Sequence, residues 1–145
     1  MSEFGGNEFI WPVRVYYEDT DSGGVIYHAN YLKFMERART EWLRARGFEQ
    51  DTLVENEGVL FVVRSIALEL HRAGRFNQRL SVGSKIIRRS KVTLTFDQTV
   101  MNQEGQALCS GQVKLACVDA LSWDPRPIPS SILAEISAES MPSDS

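Results

Sequence analysis

The hydrophobic positions of this chain follow one period before Gly58 and another after it. From about His28 to Arg46, Tyr31, Met35, Ala38, Trp42 and Ala45 recur at four-three spacing, with Leu32, Phe34 and Leu43 widening the stripe. That spacing predicts one amphipathic helix. Gly47 follows where a left-handed closing residue is expected, and Arg44 and Arg46 complement the negative end of the helix dipole. Beyond Gly58, "VLFVVRSIALEL" and "KVTLTFDQTVM" alternate: Val92, Leu94 and Phe96 share one face, Thr93, Thr95 and Asp97 the other. These segments predict long strands. "NQEG" at 102–105 predicts a short hairpin, because Asn and Gly tolerate positive φ, and Ala107, Cys109, Val113, Leu115 and Cys117 continue one face beyond it. Residues 75–90 predict another strand, and "WPVRVYY", with Val13 and Val15 alternating against Arg14 and Tyr16, predicts the first. "DPRPIPSS" stops the sheet by proline, Ile132 to Ile136 predict one helical turn, and the Ser-rich end is expected to fray.

Strand, loop, one long helix and a run of antiparallel strands make an α+β protein. With a single helix of matching length, the economical packing lays it along the concave face of a strongly curved sheet, which is the hotdog architecture. Edge strands and parts of the helix left bare predict a homodimer or homotetramer. The length of 145 residues and the 43% apolar content suit one domain over 1–145, with its core at about 10–130 and flexible termini.

Composition narrows the function classes. A net charge of -3 opposes the broad positive field that nucleic-acid backbones attract, so no nucleic-acid partner is expected. Arg88-Arg89-Ser90-Lys91 is a compact exception that suits a small phosphorylated ligand. No apolar run approaches the ~20 residues of a spanning helix, and residues 1–12 lack a basic start followed by an apolar stretch. The expectation is a cytoplasmic protein without a membrane span. Cys109 and Cys117, eight apart in one predicted strand, read as reduced packing thiols.

The chemistry concentrates in "EDTDSGGVIYHANYLKF", residues 18–34. A calcium loop would begin at Asp19, but its fifth place is Gly23, without a side chain, and its twelfth is Asn30 where a bidentate Glu is required. Zinc is no better served, since His28 has no second histidine at helical spacing and His71 belongs to a different element. A plain turn needs one oxygen to cap a dipole, and this loop offers Glu18, Asp19, Thr20, Asp21 and Ser22. It then opens a helix whose free N–H groups can bind a developing negative charge. A carboxylate beside such an oxyanion site is what acyl-group hydrolysis needs, with no metal or other cofactor.

The run "YEDTDSGGVIYHANYLKFMERAR" closely resembles the signature of the 4-hydroxybenzoyl-CoA thioesterase family of hotdog proteins, most nearly its branch of short acyl-CoA thioesterases associated with the Tol-Pal system. More loosely, the resemblance extends from "WPVRVYYEDTD" through "FVVRSIALELHRAGR" to "CVDALSWDPRPIP". It implies an acyl-CoA substrate and puts the catalytic carboxylate at the second aspartate, Asp21, with the oxyanion donor a backbone N–H near His28. Gly23 and Gly24 let the backbone approach the substrate, and Val25 and Tyr27 read as its wall. His28 either orients the carboxylate or a water, or is a helix-start residue bonded to the turn. Glu36 is a second catalytic candidate, because related hotdog branches use a helical carboxylate as base. Arg88, Arg89 and Lys91 fit coenzyme A phosphates, or form a solvated turn. An acyl-carrier-protein partner, or a binding module with little turnover, stands as the alternative to an enzyme.

Overall fold

The computed structural model describes residues 8–138. Helix α1 (Asn30–Ala45) buries Tyr31, Phe34, Met35, Ala38, Trp42 and Leu43 of the stripe its spacing predicts, while Leu32 is half-buried and Ala45, in the last turn, is exposed. Gly47, at φ +90°, closes it, with the Phe48 N–H reaching back to the Leu43 carbonyl at 3.0 Å. The helix lies on an antiparallel sheet of β1 (Phe9–Arg14), β2 (Val59–Leu70), β3 (Arg79–Arg89), β4 (Thr93–Met101) and β5 (Ala107–Asp119), in the order β1-β3-β4-β5-β2. This is the expected α+β architecture, and the hairpin at 102–105 joins β4 to β5 with Gly105 at φ +79°.

Two short helices depart from the expectation of a single one. Helix α2 (Gln50–Glu57) buries only Leu53, so it carries almost no apolar period to read. Helix α3 (Ser130–Ala138) is longer than the one turn expected, and its Ile132 and Ile136 close one end of the core with Ile128. The fraying expected of the Ser-rich end falls on 139–145, outside the described residues.

The core comes in two apolar clusters strung along α1. Its first half packs Tyr31, Phe34, Met35 and Ala38 with Val13, Leu80, Val82 and Val100, while Trp42 and Leu43 pack with Phe61, Leu94, Phe96 and Val113. Each fully buried side chain of this size contributes roughly 1.5–3 kcal/mol. A polar link crosses from helix to sheet in the middle. Gln98, fully buried on β4, donates its amide to the Met35 carbonyl (3.0 Å) and Ser84 Oγ (2.8 Å), and accepts from Arg39 Nη1 (3.0 Å).

Cys109 and Cys117 are both free and buried, and burial pushes each thiol up to about 11. Eight residue steps along one strand set them ~27 Å apart, so they cannot bridge. No described helix is long and apolar enough to cross a membrane.

Replacing Gln98 with Leu removes the only hydrogen-bond acceptor of the buried Arg39 guanidinium among the described residues. Gln98→Leu should cost about 2–3 kcal/mol in denaturant unfolding; a loss below about 0.5 kcal/mol would mean that the link does not hold helix to sheet.

Candidate active site

After β1 the chain makes a 3₁₀ turn (Tyr17–Asp19) and folds back on itself before α1. Thr20 and Ile26 form an isolated antiparallel bridge, the Asp21 N–H donates to the Val25 carbonyl (2.8 Å), and Gly24 turns the loop at φ +81°. The Gly23 N–H donates to Asp21 Oδ1 at 2.8 Å, and a Cβ there would sit 3.3 Å from the same oxygen, so a larger residue would press on the Asp21 carboxylate. The loop is pinned from outside by the Ile26 N–H donating to the Gly74 carbonyl (2.8 Å) and by a Val25–Arg75 bridge. A side chain on Gly74 would collide with Ile26.

The two aspartates have opposite surroundings. Asp19 is 5% exposed, and its carboxylate accepts from the Tyr16 N–H (2.8 Å) and from Asn30 Nδ2 (2.9 Å), which ties the turn to the first residue of α1. Asp21 is exposed, and its carboxylate takes only the Gly23 N–H among the described residues.

The start of α1 completes the arrangement. No side chain caps it. The N–H groups of Asn30, Tyr31 and Leu32 donate to the carbonyls of Tyr27 (2.8 Å), His28 (3.3 Å) and Ala29 (3.2 Å). Those of His28 and Ala29 have no acceptor among the described residues. Unpaired donors at a helix start, in the positive field of its dipole, suit an incoming oxyanion.

The structure also regroups the other candidates. His28, exposed and with its ring 4.5 Å from that of Tyr27, lines a hollow of about 290 Å³ with Val25, Ile26, Tyr31 and Leu70. His71, which the sequence sets in another element, lines that same hollow, its Nε2 2.7 Å from Ser110 Oγ. No group of three or more His, Cys, Asp and Glu among the described residues is arranged to hold a metal ion.

Glu36 is exposed and lies apart from this loop, on a separate hollow that Arg39 and Trp42 also line. The basic cluster is divided. A bulge between Ile86 and Arg88 sets Arg88 opposite Thr95 and Arg89 opposite Leu94, and neighbouring strand positions face opposite ways. Arg88 accordingly lines a shallow hollow on the polar outer face with Thr95, Gln112 and Lys114, Arg89 is half-buried, and Lys91 lies beyond the strand. Lys114 went unnoticed in the sequence because its proximity to Arg88 arises only across the sheet.

Fold and loop together define a hotdog protein with an exposed carboxylate on the loop that leads into its long helix. Residues 23–109 match the thioesterase superfamily. The chain is 46% identical over 127 residues to the acyl-CoA thioester hydrolase YbgC of Escherichia coli, covering 88% of this chain and 94% of that one. It is 43% identical over 128 residues to the acyl-CoA thioesterase YbgC of Haemophilus influenzae, covering 88% and 93%. The fold superposes with a TM-score of 0.85 on a 1,4-dihydroxy-2-naphthoyl-CoA thioesterase from Synechocystis, at 20% identity and over 93% of this chain and 99% of that one. This chain belongs to the thioesterase superfamily, and its chemistry is the hydrolysis of a thioester.

If Asp19 braces the loop, Asp19→Asn should lower the stability by about 1–2 kcal/mol, because an amide offers one of its two donors the wrong partner. A thermal midpoint equal to that of the wild type would remove the bracing role.

Proposed function

We propose that the protein hydrolyses a short-chain or aromatic acyl-CoA to the free acid and CoA, with Asp21 as the catalytic carboxylate and the His28 and Ala29 N–H groups as oxyanion donors. The observation that carries this reading is the unequal state of the two aspartates: Asp19 is buried with its carboxylate bonded to the turn, whereas Asp21 is exposed with one bond. A thioester carbonyl is electrophilic enough for one positioned carboxylate either to attack it or to activate a water. In both routes negative charge grows on the carbonyl oxygen, and unpaired backbone donors stabilise it without needing to reorganise. Gly23 and Gly24 keep the loop free of side chains where substrate approaches, while Val25 and Tyr27 flank it. His28 is suited to orient the water, and Glu36, on the other hollow, is the second-choice base.

CoA phosphates are proposed to lie against the outer face near Arg88, with Lys114 beside it. Arg89 and Lys91 take a smaller part in this reading, since they do not share that hollow. The protein is proposed to act as a homodimer or homotetramer in the cytoplasm. What supports an oligomer is the long edge strand β2, whose Val63, Ile66 and Leu70 are 46%, 45% and 56% exposed. An acyl carrier protein presents the same phosphopantetheine thioester and is the natural second source of substrate. The association of the resembling branch with the Tol-Pal system remains a proposal about where the protein acts.

The test compares Asp21→Asn with the wild type on one active acyl-CoA. Folding and KM should be preserved while kcat falls at least ~10²-fold, the range for removing a positioned base; near-native kcat would move the catalytic carboxylate elsewhere. For the phosphate site, Arg88→Ala should raise KM for CoA thioesters and spare pantetheine thioesters, which lack the nucleotide. Arg89→Ala should do less, and equal losses on both substrates would count against phosphate binding.

A further inference from the structure

Two side chains that line the second hollow carry unspent donors. Trp42 is 1% exposed, and its indole N–H finds no acceptor among the described residues. Leaving such a donor unpaired costs about 1–3 kcal/mol, unless a ligand or water supplies the acceptor. Arg39, 9% exposed, gives a single hydrogen bond, to Gln98, and no carboxylate forms an ion pair with it among the described residues. Gln98 is itself held by Met35 and Ser84, so the guanidinium is fixed in place before any ligand arrives. Trp42 and Arg39 both line a hollow of about 80 Å³ between α1 and the sheet, floored by Phe61, Leu94, Phe96 and Leu115.

We infer that this hollow is a binding site for a short-chain carboxylate, the free acid that thioester hydrolysis releases. A fixed cation and an indole N–H match a carboxylate head, and the apolar floor matches a short alkyl tail. The size sets the tail: an engineered cavity of about 150 Å³ accepts benzene, so this hollow suits acids of roughly two to four carbons. Glu36 is the one acidic side chain in the lining, but it is exposed, where water screens it, while Arg39 acts from the buried side. A neutral acceptor would satisfy the indole but leave the guanidinium with only the charge of the exposed Glu36 to oppose it. The identity of the ligand rests on the thioesterase reading, whereas the binding does not.

The test follows the Trp42 indole N–H resonance of ¹⁵N-labelled protein, assigned by its loss in W42F, during titration with sodium butyrate, 1-butanol or sodium chloride. Butyrate should shift the signal saturably, butanol should bind at least ~10-fold more weakly, and chloride should leave the signal in place. Arg39→Met should weaken butyrate at least ~10-fold. No shift, or equal shifts with butyrate and butanol, would overturn the site and leave a hollow filled by water. Should Arg39→Met fail to fold, W42F keeps a ring against Phe96 and loses only the donor; ligand-observed binding of butyrate unchanged in W42F would likewise overturn the proposal. No turnover occurs in the titration, so the two readings fail separately. A protein that binds butyrate and hydrolyses no thioester would refute the enzyme alone, and one that hydrolyses thioesters without binding butyrate would refute the site alone.

Discussion

Apolar packing tells a helix which face to bury but leaves it free to slide along its own axis. In this protein the buried amide of Gln98 removes that freedom. Its Nε2 reaches the Met35 carbonyl inside α1 while also reaching Ser84 on β3, so helix and sheet are joined at one height. Arg39 closes the link from the helix side. Such a network, fully buried, is stabilising only while every member is satisfied, and Gln98 uses both of its amide hydrogens and its oxygen. Everything that depends on the height of α1, including the N–H groups at its start, depends on this contact.

A second tie acts at the other end of that dependence. Asn30, the first residue of α1, donates to Asp19, and Asp19 in turn receives the Tyr16 N–H, two residues past the incoming strand. The helix start is thereby fixed to the loop that carries Asp21, while Asp21 itself stays out of the bracing. One acidic residue is consumed by structure so that another, two positions later, is not. No side chain caps α1, and the N–H groups that a cap at Ala29 would take, those of Tyr31 and Leu32, already reach the carbonyls of His28 and Ala29.

Much of this was legible in the chain before folding, because it rests on local period and turn chemistry. The stripe of α1, its closing Gly47, the alternation of β2, β4 and β5 and the hairpin at 102–105 each have a short-range cause. Asp19 and Asp21 were visible as a pair and the family resemblance pointed to Asp21, but the bracing bonds of Asp19 come only with the fold. Helix α2 was missed because Leu53 is its one buried side chain, and α3 was underestimated because Ile132 and Ile136 are ordered by distant partners. Gln98 did leave a trace: two positions after Phe96 on an inward-facing row, it is a polar residue where alternation asks for an apolar one. A polar residue out of phase on a buried face signals a partner on the opposite element, here Arg39.

The bulge at Ile87 shows why adjacency in sequence misleads about binding surfaces. Arg88 and Arg89 read as one patch, yet a strand turns successive side chains to opposite faces, so two adjacent arginines cannot meet one phosphate group from the same side. The extra residue shifts the phase by one, which carries Arg88 to the outer face opposite Thr95 and leaves Arg89 on the row of Leu94. Lys114, paired with Thr95 from the other side, then becomes the neighbour of Arg88. Without the bulge, Arg88 would follow Ile86 onto the helix-facing row, where a guanidinium would need a buried partner such as Arg39 already has in Gln98. A single inserted residue thus decides whether a cation lies under the helix or on the surface where a phosphorylated ligand can reach it.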